Sequence, residues 1–281
     1  MDTKINGLSV ISTSYDAIFC DIFGVLHNGC IKYKDAVSAL LRFRNEGGKV
    51  VLMTNSPKTV PHVIEQLRIL DIEDQVYDDI VTSGEVTRNL ICKGSVFHLG
   101  PERDISLFDT LDVDRETVDK AQKIVCTGLF NEDHETPDQY EEMLLDLLDR
   151  GLPMICANPD IAVERGDRLV WCAGSLAQMY KKMGGLVMFA GKPNQCIYKL
   201  AMSKLGIIHS QLSDKTRILA VGDGILTDIF GAQSAELNSL FISSGIHASE
   251  YGGKCPDSKM LRAFLSSYNL DSVTWMPYLR W

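Results

Sequence analysis

"DAIFCDIFGVLHNG", residues 16–29, decides the fold. Ala17, Ile18, Phe19 and Cys20 form an unbroken apolar run that ends on Asp21. A run without alternation reads as a strand buried on both faces, as in a parallel sheet. Asp21 then arrives at the carboxyl edge of that sheet, which is where open α/β sheets bind ligands. Two residues on, where a second carboxylate would be sought, stands Phe23.

The chain around this stretch alternates strand-like and helix-like segments. Residues 34–48, "KDAVSALLRFRNEGG", read as a helix with Val37, Leu40, Leu41 and Arg44 on one stripe and Gly47 as its stop. "KVVLMTN" (49–55) is a second buried strand, "VPHVIEQLRIL" (60–70) a helix, and "DDIVTSG" (78–84) a short strand and turn. Strand–helix–strand units at this spacing imply a mostly parallel sheet. Asp21, Thr54 and Ser83 all fall at predicted strand ends. In the middle third, "SVFHLG" (95–100) and "KIVCTGL" (123–129) read as strands. "TPDQYEEMLLDLLDRG" (136–151) reads as a helix. Thr136, Pro137 and Gln139 signal its start, Tyr140, Met143, Leu144, Leu147 and Leu148 its apolar stripe, and Gly151 its end. The core alternation resumes at "LVMFAGKPN" (186–194), continues through "RILAVGDG" (217–224) and "LTDIFGAQSA" (226–235), and reaches a last strand in "NSLFISSG" (238–245). The aromatic tail "SVTWMPYLRW" (272–281) is expected to pack. The sheet is thus expected from both ends of the chain, as core segments 1–83 and 186–281, with an inserted α/β unit over 84–185.

Composition narrows the function classes. With 28 basic and 37 acidic residues, the 281-residue chain carries a net charge of −9, which argues against a general nucleic-acid binder. No apolar run reaches membrane-spanning length, and the N-terminus lacks the apolar core of a secretory signal. The eight cysteines (20, 30, 92, 126, 156, 172, 196 and 255) are scattered without a C-x-x-C pair. They read as reduced thiols in a cytoplasmic protein. No G-x-G-x-x-G follows the first strand and no P-loop occurs, which sets aside a dinucleotide-binding reading.

Four features at predicted strand ends combine into a phosphoryl-transfer device: Asp21; Thr54 in "MTNS"; Lys192 before Pro193; and Asp223 and Asp228 in "VGDGILTD". A carboxylate can attack phosphorus, which splits one displacement into two. Several carboxylates with a backbone carbonyl suit Mg²⁺, while a lysine, a hydroxyl and amides suit phosphoryl oxygens.

In order and context these residues resemble the motifs of the haloacid dehalogenase superfamily. "GVLHNG", "TNS", "ANPD" and "GDxxxTDI" resemble its class IIA branch of small-metabolite phosphatases. The resemblance spans essentially the whole chain. It implies a Rossmann-like core with a parallel sheet, a C2-type α/β cap in the inserted position, and Mg²⁺ as cofactor. By position it implies Asp21 as nucleophile and metal ligand, the Phe23 carbonyl as a further ligand, and Asp223 and Asp228 on the metal. It assigns Thr54 and Asn55 to the transferring phosphoryl group and Lys192 to its charge. Asn158 and Asp160 of "CANPD", and the "WCAGS" stretch (171–175), are expected to face substrate. The expected partner is a small phosphorylated metabolite, with no nucleic acid or membrane. Caps of this branch often mediate dimers, which points to a homodimer.

Phe23 departs from the pattern. Hydrolytic members carry there a second Asp that protonates the leaving oxygen and then deprotonates the attacking water. Three readings stay open: a phosphatase with another acid/base, for which His27 and Asp160 are candidates; a slow or specialised enzyme that needs a good leaving group; and a non-catalytic phosphometabolite sensor.

Overall fold

The structure, a computed structural model, describes residues 4–166, 168–206, 215–254 and 256–281. In chain order the strands are β1 (Ala17–Asp21), β2 (Lys49–Thr54), β3 (Asp79–Thr82), β4 (Gly94–Leu99), β5 (Val113–Arg115), β6 (Lys123–Cys126) and β7 (Met154–Cys156). There follow β8 (Ala162–Arg165), β9 (Arg168–Trp171), β10 (Val187–Phe189), β11 (Ile218–Gly222), β12 (Asn238–Ile242) and β13 (Thr274–Met276). The α-helices are α1 (Lys34–Asn45), α2 (Val60–Ile69), α3 (Ser83–Ile91), α4 (Glu141–Asp149), α5 (Ala173–Lys182), α6 (Gln195–Lys204), α7 (Phe230–Ser234) and α8 (Ser258–Ser267).

Every residue of β1 and of β11 is buried, as their continuous apolar runs require. A six-stranded sheet runs in the order β13-β12-β11-β1-β2-β3. β1 pairs parallel with both β11 and β2, and Cys20 lies opposite Val221 while Asp21 lies opposite Met53. A second, five-stranded sheet runs in the order β10-β7-β6-β4-β5, with neighbouring strands parallel. β8 and β9 form a separate antiparallel ribbon. The architecture is the expected α/β fold, with the strands of one sheet inserted in sequence between β3 and β11 of the other.

The chain divides into two compact units. One comprises Met1–Met53, Ile64–Val81 and Tyr198–Trp281; the other comprises Thr54–Val63 and Thr82–Ile197. The expected boundary at 185 falls early, because Val187–Phe189 pairs with Met154–Cys156 in the inserted sheet instead of returning to the first. Near 83, Ser83 opens α3 instead of a turn, with the Thr82 side chain accepting from the Glu85 amide at 3.0 Å. In the first unit, α1 buries Ala36, Ala39, Leu40 and Phe43. The buried face is therefore rotated from the expected Val37–Leu41–Arg44 stripe, since Phe43 carries more apolar area than either flank. In the inserted unit, Tyr140, Leu144 and Leu147 of the predicted amphipathic helix enter a core with Ile124, Met154, Leu176 and Tyr180. The Gln139 carboxamide accepts from the Thr136 amide at 3.1 Å, as the capping pattern predicts.

"NSLFISSG" is not the last strand. The aromatic tail adds β13, whose Trp275 is buried in the cluster formed by Phe241, Tyr251, Leu261 and Phe264. Truncating a buried tryptophan leaves a cavity as well as removing transfer energy. Trp275→Ala should lower stability by about 3–5 kcal/mol, read as a shift in urea midpoint. A change below about 1 kcal/mol would mean the tail is no part of the core.

Candidate active site

Parallel pairing of β1 with β11 determines the first cluster. Because Cys20 lies opposite Val221, Asp21 ends β1 at the level where β11 runs into Asp223. Asp228 follows after one wide turn, in which Ile225–Ile229 is π-helical. Asp21, Asp223 and Asp228 are all buried, and each offers an oxygen within 4.8 Å of the others. Asp223 accepts through Oδ2 from the Ile246 amide at 2.9 Å, and Asp228 through Oδ2 from the Gly224 amide at 3.0 Å.

Room for these carboxylates comes from missing side chains. A Cβ on Gly24 would lie 2.2 Å from Asp223 Oδ2, and its φ of +88° is itself one that favours glycine. A Cβ on Gly245 would lie 1.9 Å from the same oxygen. Three carboxylates so close and so poorly hydrated repel one another unless a cation lies among them. An all-oxygen set is what a hard divalent cation such as Mg²⁺ prefers, so the donors present fit the expected metal.

The turn after Asp21 is tightly closed. The Gly24 amide donates to the His27 carbonyl at 2.8 Å, and the Leu26 amide to the Ile22 carbonyl at 2.9 Å. Phe23 is half-buried, and its ring meets His27 edge-on at 5.3 Å between centroids. His27 is buried, and its Nδ1 accepts from the Gly29 amide at 2.9 Å, which leaves the ring proton on Nε2. Burial pushes the His27 pKa down to about 4. The acid/base role considered for His27 therefore lacks support: the ring is neutral at pH 7, and one nitrogen is committed to closing the turn.

A second group gathers in the other unit. Thr54, Asn55 and Lys192 are buried. Asn55 Oδ1 accepts from the Lys192 amide at 2.7 Å, and its Nδ2 donates to the Lys192 carbonyl at 3.2 Å and to Asp160 Oδ1 at 2.9 Å. Asn158 Oδ1 accepts from the Asp160 amide at 3.1 Å, and Thr54 Oγ1 from the Ser56 amide at 3.1 Å. The structure thus joins Asn55, Asn158, Asp160 and Lys192 in one hydrogen-bonded set, held by an asparagine whose role was expected to be phosphoryl binding alone. Of the "WCAGS" stretch, Cys172, Ala173, Gly174 and Ser175 are buried, and Ala173 opens α5.

Two features have no counterpart among the expected residues. The first is His247, whose Nε2 accepts from the Ile225 amide at 3.2 Å while its Nδ1 meets Glu250 Oε1 at 2.6 Å. It braces the loop between Asp223 and Asp228, and nothing in the spacing of "SSGIHASE" announces this. The second is a charged cluster in the inserted unit around Lys58, Arg103, Glu132 and Arg165, described below.

Residues 18–114 match the family described as haloacid dehalogenase-like hydrolase, and residues 189–271 the one described as HAD-hydrolase-like. A crystal structure of a haloacid dehalogenase-like hydrolase from Brucella suis 1330 is 45% identical, with a TM-score of 0.85 over 92% of this chain and 96% of that one. This chain belongs to the haloacid dehalogenase-like hydrolases. More distant relatives of this HAD hydrolase carry activity names. The 5'-nucleotidase YutF of Bacillus subtilis (strain 168) is 25% identical over 276 residues, covering 95% of this chain and 99% of its own. An acid sugar phosphatase of Staphylococcus aureus (strain USA300) is 25% identical over 245 residues, covering 84% and 89% respectively.

Two outcomes follow for this hydrolase. Removing a group that orients metal ligands typically costs 10–100-fold in metal affinity. His247→Phe should weaken Mg²⁺ binding by about tenfold in a calorimetric titration, with partial recovery in His247→Gln; an unchanged affinity would deny His247 the bracing role. His27 gives a pH effect. Its folded pKa of about 4 lies below the ordinary 6.5, so the unfolded chain binds the proton first as pH falls. Its contribution to stability is therefore complete above pH 6.5 and is lost as pH falls towards 4, by up to about 3 kcal/mol. His27→Gln should flatten that part of the stability–pH curve; a curve parallel to wild type would contradict it.

Proposed function

We propose that the protein is a Mg²⁺-dependent phosphatase of a small phosphorylated metabolite that works through an aspartyl-phosphate on Asp21. The observation that carries this reading is the buried triad of Asp21, Asp223 and Asp228 at the carboxyl ends of adjacent parallel strands. The activity names of the relatives, a nucleotidase and a sugar phosphatase, support the substrate class.

In this mechanism an Asp21 oxygen attacks phosphorus, the bond from phosphorus to the leaving oxygen breaks, and the leaving group departs with the electron pair. Water then attacks the phosphorus of the aspartyl-phosphate, which releases inorganic phosphate and restores the Asp21 carboxylate. Asp21, Asp223, Asp228 and the Phe23 carbonyl would hold Mg²⁺, which when bound offsets the charge of phosphate and carboxylates. Thr54 and Asn55 bind phosphoryl oxygens, and Lys192 neutralises their charge. Asn55 does so while tied to the Lys192 backbone and to Asp160, so the anchor is pre-organised.

Phe23 has no proton to give the leaving oxygen. A positioned general acid or base contributes about 10²–10⁴ in rate, roughly 3–5 kcal/mol of barrier. Aryl and acyl phosphates, whose leaving groups need little protonation, should therefore exceed sugar phosphates in kcat/KM by about 10²-fold or more. The same residue favours a second reading, in which the site binds a phosphometabolite without turnover.

Phosphate release with Mg²⁺ from p-nitrophenyl phosphate, acetyl phosphate and a set of sugar phosphates tests both. Turnover confined to the first two, and abolished in Asp21→Asn, is the expected result. Comparable turnover across the set would mean that another group supplies the proton. No turnover of any ester, with phosphate still bound, would replace the phosphatase by the sensor.

A further inference from the structure

Four segments of the inserted unit, far apart in sequence, bring charges together. Arg103 follows β4, Glu132 follows β6, Arg165 ends β8, and Lys58 lies in the loop after β2. The Glu132 side chain is only 6% exposed, and it pairs with both guanidinium groups: directly with Arg103, and with Arg165 at 2.8 Å. Arg103 also lies 3.9 Å from the buried Asp104 carboxylate. Both arginine side chains nevertheless stay open to solvent, at 52% for Arg103 and 44% for Arg165. A guanidinium has five N–H donors in a rigid fork, so a shared carboxylate leaves part of each fork for another acceptor.

The cluster mixes both signs, and its cations are the groups left open to solvent. Burial disfavours the charged form of Lys58, and Arg103 and Arg165 add to this while Asp104 and Glu132 oppose it. Burial also pushes the Asp104 carboxyl up, towards its neutral form. Lys58, Arg103 and Arg165 thus share the firmly held Glu132 carboxylate and the buried Asp104, with Asp133 a further carboxylate near Arg103. Lys58 stands in the same strand-end loop as Thr54 and Asn55, four residues beyond Thr54. A structural salt-bridge network needs neither half-exposed guanidiniums nor a half-buried lysine beside them, since buried pairs add little net stability.

We propose that Lys58, Arg103 and Arg165, oriented by Glu132, form a subsite for a second anionic group, so that the substrate is a phosphate monoester that also bears a carboxylate or a further phosphate. This rests on the phosphatase reading for the phosphoryl end only. The subsite supplies bidentate guanidinium contacts and an ammonium to the second anion. It would select on KM and would leave the displacement at phosphorus to the other residues.

The test uses alkyl phosphonates, whose P–C bond the proposed reaction does not break, so binding is read apart from catalysis. The full chain with Mg²⁺ is titrated by calorimetry with alkyl phosphonates of one to four methylenes. Two further series of the same lengths end in a carboxylate or in a second phosphonate. At least one chain length in one of these series should bind tenfold or more tightly than its alkyl counterpart, and the series that does so names the second anion. That preference should fall to within threefold in Arg165→Gln and in Lys58→Gln, and partly persist in Arg165→Lys, with folding of each variant checked by circular dichroism. No preference above threefold at any length, or a preference unchanged in both glutamine variants, would overturn the subsite. A retained preference in a protein that hydrolyses no phosphate ester would overturn the phosphatase reading and leave the subsite standing.

Discussion

The structure depends on one crowded point, where Asp21, Asp223 and Asp228 meet in the interior at the carboxyl ends of β1 and β11. Carboxylates this close repel one another, and a cation among them relieves that repulsion. Several details of the first unit answer to that constraint. β1 and β11 are buried throughout and aligned so that their ends coincide. Gly24 and Gly245 give up side chains where Asp223 needs the space. The amides of Gly224 and Ile246 turn towards carboxylate oxygens. Each of these costs backbone freedom, and together they hold an all-oxygen charge pattern of the kind a hard divalent cation prefers.

Much of this was legible because it is local. An apolar run ending in Asp21, and a "GDG" turn after "RILAV", report strand ends directly. The capping residues Thr136 and Gln139 likewise act within a few residues of one another. What escaped is non-local. Val187–Phe189 looks like any short apolar strand, and only pairing with β7 shows which sheet it joins. The α1 face could not be chosen between two overlapping stripes until Phe43 found its neighbours. Trp275 reads as a packing residue, but a three-residue edge strand carries no periodicity of its own. Glu132 and its two arginines come from separate segments, and His247, which follows β12, bonds back to the Ile225 amide after β11, so no spacing rule could join them.

Phe23 turns an ordinary phosphatase site into a question about leaving groups. The ring stands edge-on to His27, whose Nδ1 is committed to closing the turn, so neither side chain stands in for a carboxylic acid at this position. In the proposed mechanism a missing carboxylic acid hinders both half-reactions: departure of a poor leaving group, and attack by water on the aspartyl-phosphate. With an activated ester the first step is relieved and the second is not. The covalent intermediate should then accumulate, where a complete acid/base pair would discharge it.

Trapping that intermediate tests the account most directly. The protein is mixed with Mg²⁺ and p-nitrophenyl phosphate, quenched within the first turnovers, and treated with borohydride, which reduces an acyl phosphate to an alcohol. Peptide mass spectrometry then reads the modified position. The account predicts reduction at Asp21 in a substantial fraction of the chains and none in Asp21→Asn. Steady release of phosphate with no modified Asp21, or modification at another residue, would contradict it.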